Sequence, residues 1–554
     1  MFIDDQKYTL NGRTYRRALL RNSYREGGQV RHDTVANLSK CSDEEIEALK
    51  FALKNRSRLP KVPISGGEVQ TRQGLSIGAV WLLHQLAKEL GIAKALGHSR
   101  EAKLALWLVI SSVIGSVSRL SAARLAKSHA ACDILGLDRF CEDDLYSTLD
   151  WLHERQGVIE DRLFRGRYCG KAPNLFLYDV TSSYLEGDHN ELASYGYNRD
   201  GKKGKKQVVV GLLTDDEGYP VTCEVFQGDT KDTGTFKSQL EKVARRFGVE
   251  KVTFVGDRGM IKSAQIRDLS EEDYYYITAL TRPQIEKKLI EGILQTQLFD
   301  KTICEIAKDG VRYILRRNPI RANELRDNRK SRLQALRTLC TKKVQYLADH
   351  PKAKVATAEK SIKLFADKLK ISKWVVISIN ERLISAEVNR SELDNAEKLD
   401  GCYIIKSNIP VEVATKETIH DRYKDLSDVE WAFRTMKTAL LHIRGIYVRK
   451  ANRTKAHVFT IMLAYMLAYK LRRLWHGIDV TIEEGIEELT TLCGIEVVMG
   501  DVTINTIPEP RRKVKELLEK ANVSLPDAIP CGNANVFTRK SLVDERIIHV
   551  NSSS

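Results

Sequence analysis

Two aspartates lie where two separate apolar runs of the sequence end. Asp179 falls at the end of the run 175–180 (LFLYDV), and Asp257 comes two residues after the run 252–255 (VTFV). If these runs form neighbouring strands, both carboxylates emerge at the carboxyl-end edge of a sheet, where ligand sites of α/β sheets form. Two adjacent carboxylates repel each other unless a cation lies between them. The natural partner is a hard cation with oxygen ligands, and we expect Mg²⁺.

A third carboxylate, Glu430, lies in the segment 423–437 (YKDLSDVEWAFRTMK). On a helix, Glu430 would share one face with Tyr423, Leu426, Arg434 and Lys437, because these positions recur at steps of three or four. A carboxylate flanked by a phenol and two cations suits a metal ligand beside a phosphate clamp. Two ions held in this way can activate a water or a 3′-hydroxyl on one side of a phosphate and stabilise the leaving oxygen on the other. An ordinary charged surface helix is the alternative.

The elements that must position these residues follow a recognisable order between about 172 and 280. Three strands are predicted at 175–180, 207–213 and 219–226, followed by a helix at 233–247, a strand at 252–255, a helix at 261–269 and a strand at 274–278. This order resembles ribonuclease-H-like cores, in which the first and fourth strands lie side by side and parallel. We therefore predict an α/β fold with a ribonuclease-H-like mixed sheet.

Composition and charge narrow the choice of partners. The chain has 554 residues, 42% of them hydrophobic and 29% charged, and a formal net charge of +16. A surface this basic attracts polyanions, so nucleic acid, an anionic membrane surface and an acidic protein are all candidates. The N-terminus has no signal-peptide pattern, and the apolar run 458–470 is too short to span a bilayer, so we expect a buried helix there. Ten scattered cysteines without a C-x-x-C pair argue against a zinc ribbon or a disulfide scaffold and favour reduced thiols in a cytoplasm.

The three acidic segments resemble the signatures of bacterial insertion-sequence DDE transposases, in the branch that carries a β-rich insertion before the Glu. That family reads Y-x2-R-x3-E-x6-K around its Glu. Tyr423, Glu430 and Lys437 are in register with this pattern, but Leu426 stands where the family has Arg. Arg434 and Arg422 are the candidates to replace that cation. The stretches 207–235 and 20–31 are also similar to the family.

The resemblance implies a reaction, a site and partners. The enzyme would hydrolyse DNA at transposon ends and join them to target DNA, with the DNA held by a homodimer in a synaptic complex and no membrane involved. Asp179, Asp257 and Glu430 would be the catalytic residues and the ligands of two Mg²⁺ ions, with Mn²⁺ as the other candidate. The residues expected to bind phosphates are Tyr423, Lys437, Arg434 and Arg258. The protein would be bacterial and cytoplasmic, and nucleoid-associated when bound to DNA.

The expected domains follow from this assignment. In chain order they are an N-terminal β/α module at 1–60, a helical domain at 75–165, the first part of the core at 172–284, an insertion subdomain at 285–405, the second part of the core at 410–480 and a C-terminal helical arm at 481–554. The helical domain is either a plain bundle or a DNA-end-binding domain of helix-turn-helix type. Within the insertion, residues 311–343 hold eleven Lys or Arg against two acids, which suits either a solvated helix or a phosphate-tracking one.

The roles of Arg258, His457 and the loop 199–206 each have two possible interpretations. Arg258 is a phosphate ligand or an ordinary ion pair at the sheet edge. His457, at the start of an apolar helix, is interpreted as a core histidine rather than a ligand. The basic loop 199–206 is either a DNA contact or a solvated hairpin tip.

Two other functions use the same residues. A structure-specific nuclease on the same core would cut but never join DNA, and the large flanking domains favour a transposase over it. A catalytically inactive, transposase-derived DNA-binding protein is the second alternative, and the presence of all three acids argues against it.

Overall fold

The computed structural model describes residues 1–10, 13–26, 29–54, 69–115, 118–170, 173–187, 189–197, 199, 201–202, 204–247, 252–271, 273–300, 303–437, 446–499, 502–527, 529 and 535–538. These residues form two compact units. The first unit joins residues 1–74 to residues 495–506, and the second contains residues 75–494 and 507–554.

The first unit is built on an antiparallel meander. Its elements from the N-terminal part of the chain are β1 (Phe2–Leu10), β2 (Arg13–Glu26), β3 (Gln29–Asn37), α1 (Asp43–Lys54) and β4 (Val69–Ser76). β1 pairs with β2, with Tyr8 opposite Tyr15, and β2 pairs with β3, while residues 11–12 and 27–28 fall outside the described residues. Ser42 caps the start of α1: Ser42 Oγ accepts from Glu45 N at 3.2 Å, and Glu45 Oε2 accepts from Ser42 N at 2.7 Å.

Helices open the second unit, as their apolar spacing predicts. They are α2 (Gly78–Glu89), α3 (Ile92–Leu96), α4 (Arg100–Ile114), α5 (Arg119–Ser128), α6 (Ala131–Leu135) and, after the short β5 (Arg139–Cys141), α7 (Glu142–Tyr168). Leu82, Leu83 and Leu86 are fully buried in the largest core of the unit. Burying this apolar stripe is what holds the helices together.

The strands and helices of the predicted core come next. They are β6 (Leu175–Tyr184), β7 (Gln207–Asp215), β8 (Pro220–Phe226), α8 (Asp232–Glu241) with a π-helical continuation (Lys242–Arg246), β9 (Thr253–Gly256), α9 (Ser263–Glu271), β10 (Tyr275–Ala279) and α10 (Arg282–Ile290). After a 3₁₀ turn (Thr296–Asp300) follow β11 (Cys304–Lys308), β12 (Val311–Arg317), α11 (Pro319–Asp349), α12 (Val355–Lys368), β13 (Val375–Asn380), β14 (Leu383–Val388), α13 (Arg390–Glu397) and β15 (Cys402–Ser407).

The remainder of the chain is mostly helical. Its elements are α14 (Lys416–Lys424), α15 (Leu426–Lys437), α16 (Ala451–Leu474), α17 (Ile482–Thr490), β16 (Cys493–Met499), β17 (Val502–Thr506), α18 (Arg512–Lys520) and β18 (Asn535–Phe537). The strands β17, β16 and β4 form a three-stranded sheet in that order. In the segment interpreted as a C-terminal arm, α18 packs Val514, Leu517 and Leu518 into the main core.

One large mixed sheet organises the second unit. Its order is β11-β12-β15-β10-β9-β6-β7-β8. The expected parallel pairing of the first and fourth core strands is confirmed, since β6 and β9 are parallel and Tyr178 lies opposite Gly256. β10 continues the parallel part beside β9, whereas β7 and β8 are antiparallel. β7 is buried along its whole length, which explains its continuous apolar run.

The apolar run at 402–405, at the end of the expected insertion subdomain, belongs to the large sheet. It forms β15, which pairs with both β10 and β12. The elements α11, α12, β13 and β14 have a separate core, which includes Leu336, Ile362 and Trp374. Local apolar patterns give a strand but not its partners, because the partners are remote in sequence.

The apolar run 458–470 lies within α16, and it is buried as predicted. No single helix in the described part of the chain is long and apolar enough to cross a bilayer. Helices α4 and α5 reach that composition only when taken together across an 87° bend.

Candidate active site

The sheet brings the first two acids to one edge. Asp179 follows Tyr178 on β6, and Asp257 follows Gly256 at the end of β9. Because Tyr178 and Gly256 are paired across these parallel strands, Asp179 and Asp257 occupy corresponding positions at neighbouring strands of the sheet. The sequence prediction of their proximity is therefore matched by the strand register.

The segment that carries Glu430 is divided between two helices, whereas a single helix was predicted. The segment 423–437 is not one helix, since α14 ends at Lys424 and α15 begins at Leu426. Asp428 N donates to Asp425 O at 2.9 Å, a spacing of three residues that tightens the chain at the break. Tyr423 therefore lies on α14 and Glu430 on α15, and the prediction of one continuous helix was wrong.

A cleft of about 370 Å³ nevertheless collects most of the predicted site. Its lining residues are Asp179, Val180, Thr181, Arg199, Asp232, Asp257, Met260, Glu430, Phe433, Arg434 and Lys437. All three predicted acids and two of the four predicted phosphate ligands are among them. Tyr423 and Arg258 are the two that do not line it.

Tyr423 lies beside the cleft, next to Asp257. Burial raises the pKa of Tyr423 well above its ordinary value, and a hydrogen bond with Asp257 raises it further. The positive charge of Arg258 acts on the pKa in the opposite direction. Both residues are thus close to the second acid, and the phenol stays protonated and able to donate.

The electrostatics of Asp179 reflect its crowded surroundings. Burial raises the pKa of Asp179 from 3.8 to about 7, and the negative charges of Asp257 and Glu430 contribute to the increase. The Val180 backbone N–H and the charge of Arg199 oppose it. A carboxylate with this environment gains from a cation placed between it and its acidic neighbours.

Lys437 brings a positive charge to the floor of the cleft. Its Nζ donates to Thr181 Oγ1 at 2.5 Å, and only 8% of the residue is exposed. Thr181 is two residues beyond Asp179 on β6, so this bond fixes α15 against the strand that carries the first acid. The lysine charge is thereby held a short distance from the carboxylates.

Two residues of the cleft were missed as site residues. Arg199 Nη2 lies 2.6 Å from both carboxylate oxygens of Asp232. The available signals were the basic loop that begins at Arg199 and the acidic turn 229–232 after the third core strand. Neither signal shows that the two side chains meet, since they are 33 residues apart.

Arg422 and Arg434 are the candidates to replace the arginine that the family has at the position of Leu426. Leu426 is half-buried and packs against the main core. Arg422 pairs with Asp425 at 3.4 Å and is not in the cleft, whereas Arg434 lines it. Arg434 is therefore the better placed substitute.

His457 and the basic loop lie outside the cleft except for Arg199. His457 is buried, with its Nδ1 3.4 Å from Arg119 Nη1, and burial lowers its pKa to about 3. This environment is that of a neutral core histidine. In the loop, Lys205 pairs with Glu186 at 3.2 Å, while residues 200 and 203 fall outside the described part.

The donor set fits divalent cations held by pairs of carboxylates. Among the residues that the structure describes, no three His, Cys, Asp or Glu side chains are grouped closely enough to hold one ion. Mg²⁺ commonly uses only one or two carboxylates and completes its shell with waters and substrate phosphate. Three carboxylates around one open cleft can supply two such pairs if one of them is shared.

Two models of protein families match the chain. Residues 170–467 match the family model described as "Transposase DDE domain", and residues 5–61 match the "IS1634 family transposase, N-terminal domain". No curated protein sequence matches the chain. Among solved structures, the "piggyBac transposase synaptic complex with hairpin DNA" is similar at 8% identity and a TM-score of 0.34, over 81% of this chain and 80% of that one. The first match covers more than half of the chain, which therefore belongs to the insertion-sequence DDE transposases, enzymes that cleave and transfer DNA.

Proposed function

We propose that Asp179, Asp257 and Glu430 are the catalytic carboxylates of this transposase and hold two divalent cations, Mg²⁺ or Mn²⁺. The observation that carries the proposal is that three acids, remote in sequence, line one cleft together with Arg434 and Lys437. The raised pKa of Asp179 supports it, because burial and, to a smaller extent, the charges of Asp257 and Glu430 disfavour the ionised carboxylate, and bound cations would offset both effects.

The proposed fold of the catalytic core is ribonuclease-H-like. The order β8-β7-β6-β9-β10, with β6, β9 and β10 parallel, supports it. The segment between β10 and α14 would then be the insertion, which contributes β11, β12 and β15 to the edge of the sheet. Residues 75–165 are proposed as the domain that binds transposon ends.

The residues in and beside the cleft would bind either the cations or the DNA phosphates. When bound, the cations supply a polarised nucleophile and stabilise the leaving oxygen. Asp179, Asp257 and Glu430 hold them. Lys437, fixed by Thr181, and Arg434 place positive charge where the phosphate enters the cleft. Tyr423 and Arg258, beside Asp257, would bind the phosphate next to the cleaved one.

The proposed partners are the two transposon ends and target DNA. A homodimer would hold both ends in a synaptic complex, at the bacterial nucleoid. The formal net charge of +16 supports a polyanionic partner.

The test is a strand-cleavage assay on a duplex that carries the element's own terminal repeat and flanking sequence. Asp179→Asn, Asp257→Asn and Glu430→Gln are each expected to lower the rate on the order of a thousandfold, since several kcal/mol of metal stabilisation are lost. Asp428→Asn is the matched control, because Asp428 is on the same helix as Glu430 but outside the cleft. Cleavage that survives the three substitutions would overturn the proposal. Joining of pre-cleaved ends separates a transposase from a nuclease that only cuts.

A further inference from the structure

Arg199 and Asp232 form a close ion pair on the wall of the catalytic cleft. Arg199 Nη2 lies 2.6 Å from both oxygens of the Asp232 carboxylate. The two side chains are 26% and 33% exposed, so the pair is reached from solvent through the opening of the cleft. A ligand that entered the cleft would meet it directly.

The backbones of Arg199 and Asp232 each make a hydrogen bond that holds them in place. The Arg199 N–H donates to Ser182 Oγ at 3.0 Å, and Ser182 is fully buried on β6, three residues after Asp179. Asp232 is the first residue of α8, and its carbonyl accepts from Thr235 Oγ1 at 2.7 Å. With both backbones held, the ion pair itself orients the guanidinium before any substrate binds, which is the condition for a preorganised electrostatic contact.

The pair also stands beside the proposed metal ligands. The position that a Cβ atom would take at Gly259 lies 3.8 Å from Asp232 Oδ2 and 3.9 Å from Asp257 Oδ2, so the two carboxylates face the same small space. The positive charge of Arg199 also acts on Asp179: it lowers the pKa of that carboxyl, whereas burial raises it. Only Nη2 of Arg199 contacts Asp232, and within the described residues Nε and Nη1 have no hydrogen-bond partner.

We infer that Arg199 donates one of its remaining hydrogen bonds to a non-bridging oxygen of the DNA phosphate in the cleft, and that Asp232 is a positioning residue that aims the guanidinium. The inference rests on the proposed function, since it takes a phosphate above Asp179, Asp257 and Glu430 as given. A planar guanidinium holds its donors in fixed directions, so the pair with Asp232 sets where the remaining N–H groups point, which a flexible lysine ammonium does not reproduce.

The experiment measures three quantities for Arg199→Ala, Arg199→Lys, Asp232→Asn and the double variant Arg199→Ala/Asp232→Asn. They are the single-turnover cleavage rate, the salt dependence of binding to the same end duplex in EDTA, and the unfolding temperature. The matched control is Arg453→Ala, which removes a similar Arg–Asp pair with Asp150, at 2.9 and 2.6 Å, from outside the cleft.

We expect Arg199→Ala to lower the cleavage rate about a hundredfold, the loss typical of one preorganised donor. Arg199→Lys should recover only part of it, and Asp232→Asn should lose about tenfold. The double variant should be no worse than Arg199→Ala, because Asp232 acts through Arg199. In EDTA, loss of one phosphate contact should reduce the slope of log affinity against log salt by about 0.9. The control should change neither the rate nor the slope.

Three results would overturn the inference. One is wild-type cleavage by Arg199→Ala while Asp179→Asn is inactive, which leaves the proposed function standing. Another is an unchanged salt slope together with a fall in unfolding temperature larger than that of Arg453→Ala, which would make the pair a structural tether. The third is losses that multiply in the double variant, which would give Asp232 a role of its own. Activity of Asp179→Asn would instead refute the proposed function.

Discussion

Replacing Asp179 with asparagine is expected to stabilise the metal-free protein, increasingly so as the pH rises. The pKa of Asp179 is about 7 in the folded protein, against 3.8 as its ordinary value. Between these values the folded carboxyl stays protonated while that of the unfolded chain ionises. The folded state then binds more protons, so its stability falls as the pH rises. Asparagine does not titrate and escapes this loss.

The size of the effect follows from the shift. Each unit of pKa difference corresponds to about 1.4 kcal/mol, so the move from 3.8 to about 7 gives an upper limit of about 4 kcal/mol. The difference between variant and wild type should be absent below the lower value, grow between the two and stay constant above the higher one. For a unit of this size, 1 kcal/mol corresponds to roughly 2 °C in unfolding temperature.

Divalent cations should reduce the difference in stability between the two proteins. A ligand at ten times its dissociation constant stabilises the protein that binds it by about 1.4 kcal/mol. Wild type gains this in Mg²⁺, whereas Asp179→Asn lacks a metal ligand and gains less. The gap between the two proteins should therefore narrow when EDTA is replaced by Mg²⁺.

The assay is thermal unfolding of wild type, Asp179→Asn and the control Asp428→Asn, in EDTA and in Mg²⁺, from about pH 5 to about pH 8. Two results would refute the reasoning. The first is an Asp179→Asn protein no more stable than wild type at the upper pH in EDTA. The second is equal stabilisation of both by Mg²⁺.

Three further substitutions test the surroundings of the site. Tyr423→Phe should slow cleavage while leaving the unfolding temperature nearly unchanged, because it removes only the phenol beside Asp257; an unaltered single-turnover rate would exclude that role. Lys437→Met keeps the buried stem but removes the charge held by Thr181, and the cleavage rate should fall about a hundredfold. Gly211→Ala would place a Cβ 2.3 Å from the Tyr178 hydroxyl, and the overpacking should destabilise the protein by about 1–3 kcal/mol in unfolding measurements.

Much of the core could be predicted from sequence because its signals are local. The apolar runs that became β6, β7 and β9 are continuous since these strands are largely buried, and their β/α order already suggests the parallel pair that carries Asp179 and Asp257. The acids then follow from their position at the strand ends. What could be predicted is thus what one segment, or the order of segments, determines.

The remaining features depend on contacts between remote segments. Steps of three and four residues continue across the break at Asp425, so the periodicity of 423–437 did not reveal it. The place of β15 beside β10 depends on a partner about 130 residues earlier in the sequence. The Arg199–Asp232 pair likewise arises only when the loop before β7 meets the start of α8.

The central claim is that the carboxylates of Asp179, Asp257 and Glu430 hold divalent cations in one cleft. Its most direct test is to count the Mn²⁺ ions bound per chain, by electron paramagnetic resonance, in the complex with the end duplex. We expect about two ions for wild type and for Asp428→Asn. Asp179→Asn, Asp257→Asn and Glu430→Gln should each bind fewer. A count that these three substitutions leave unchanged would contradict the account.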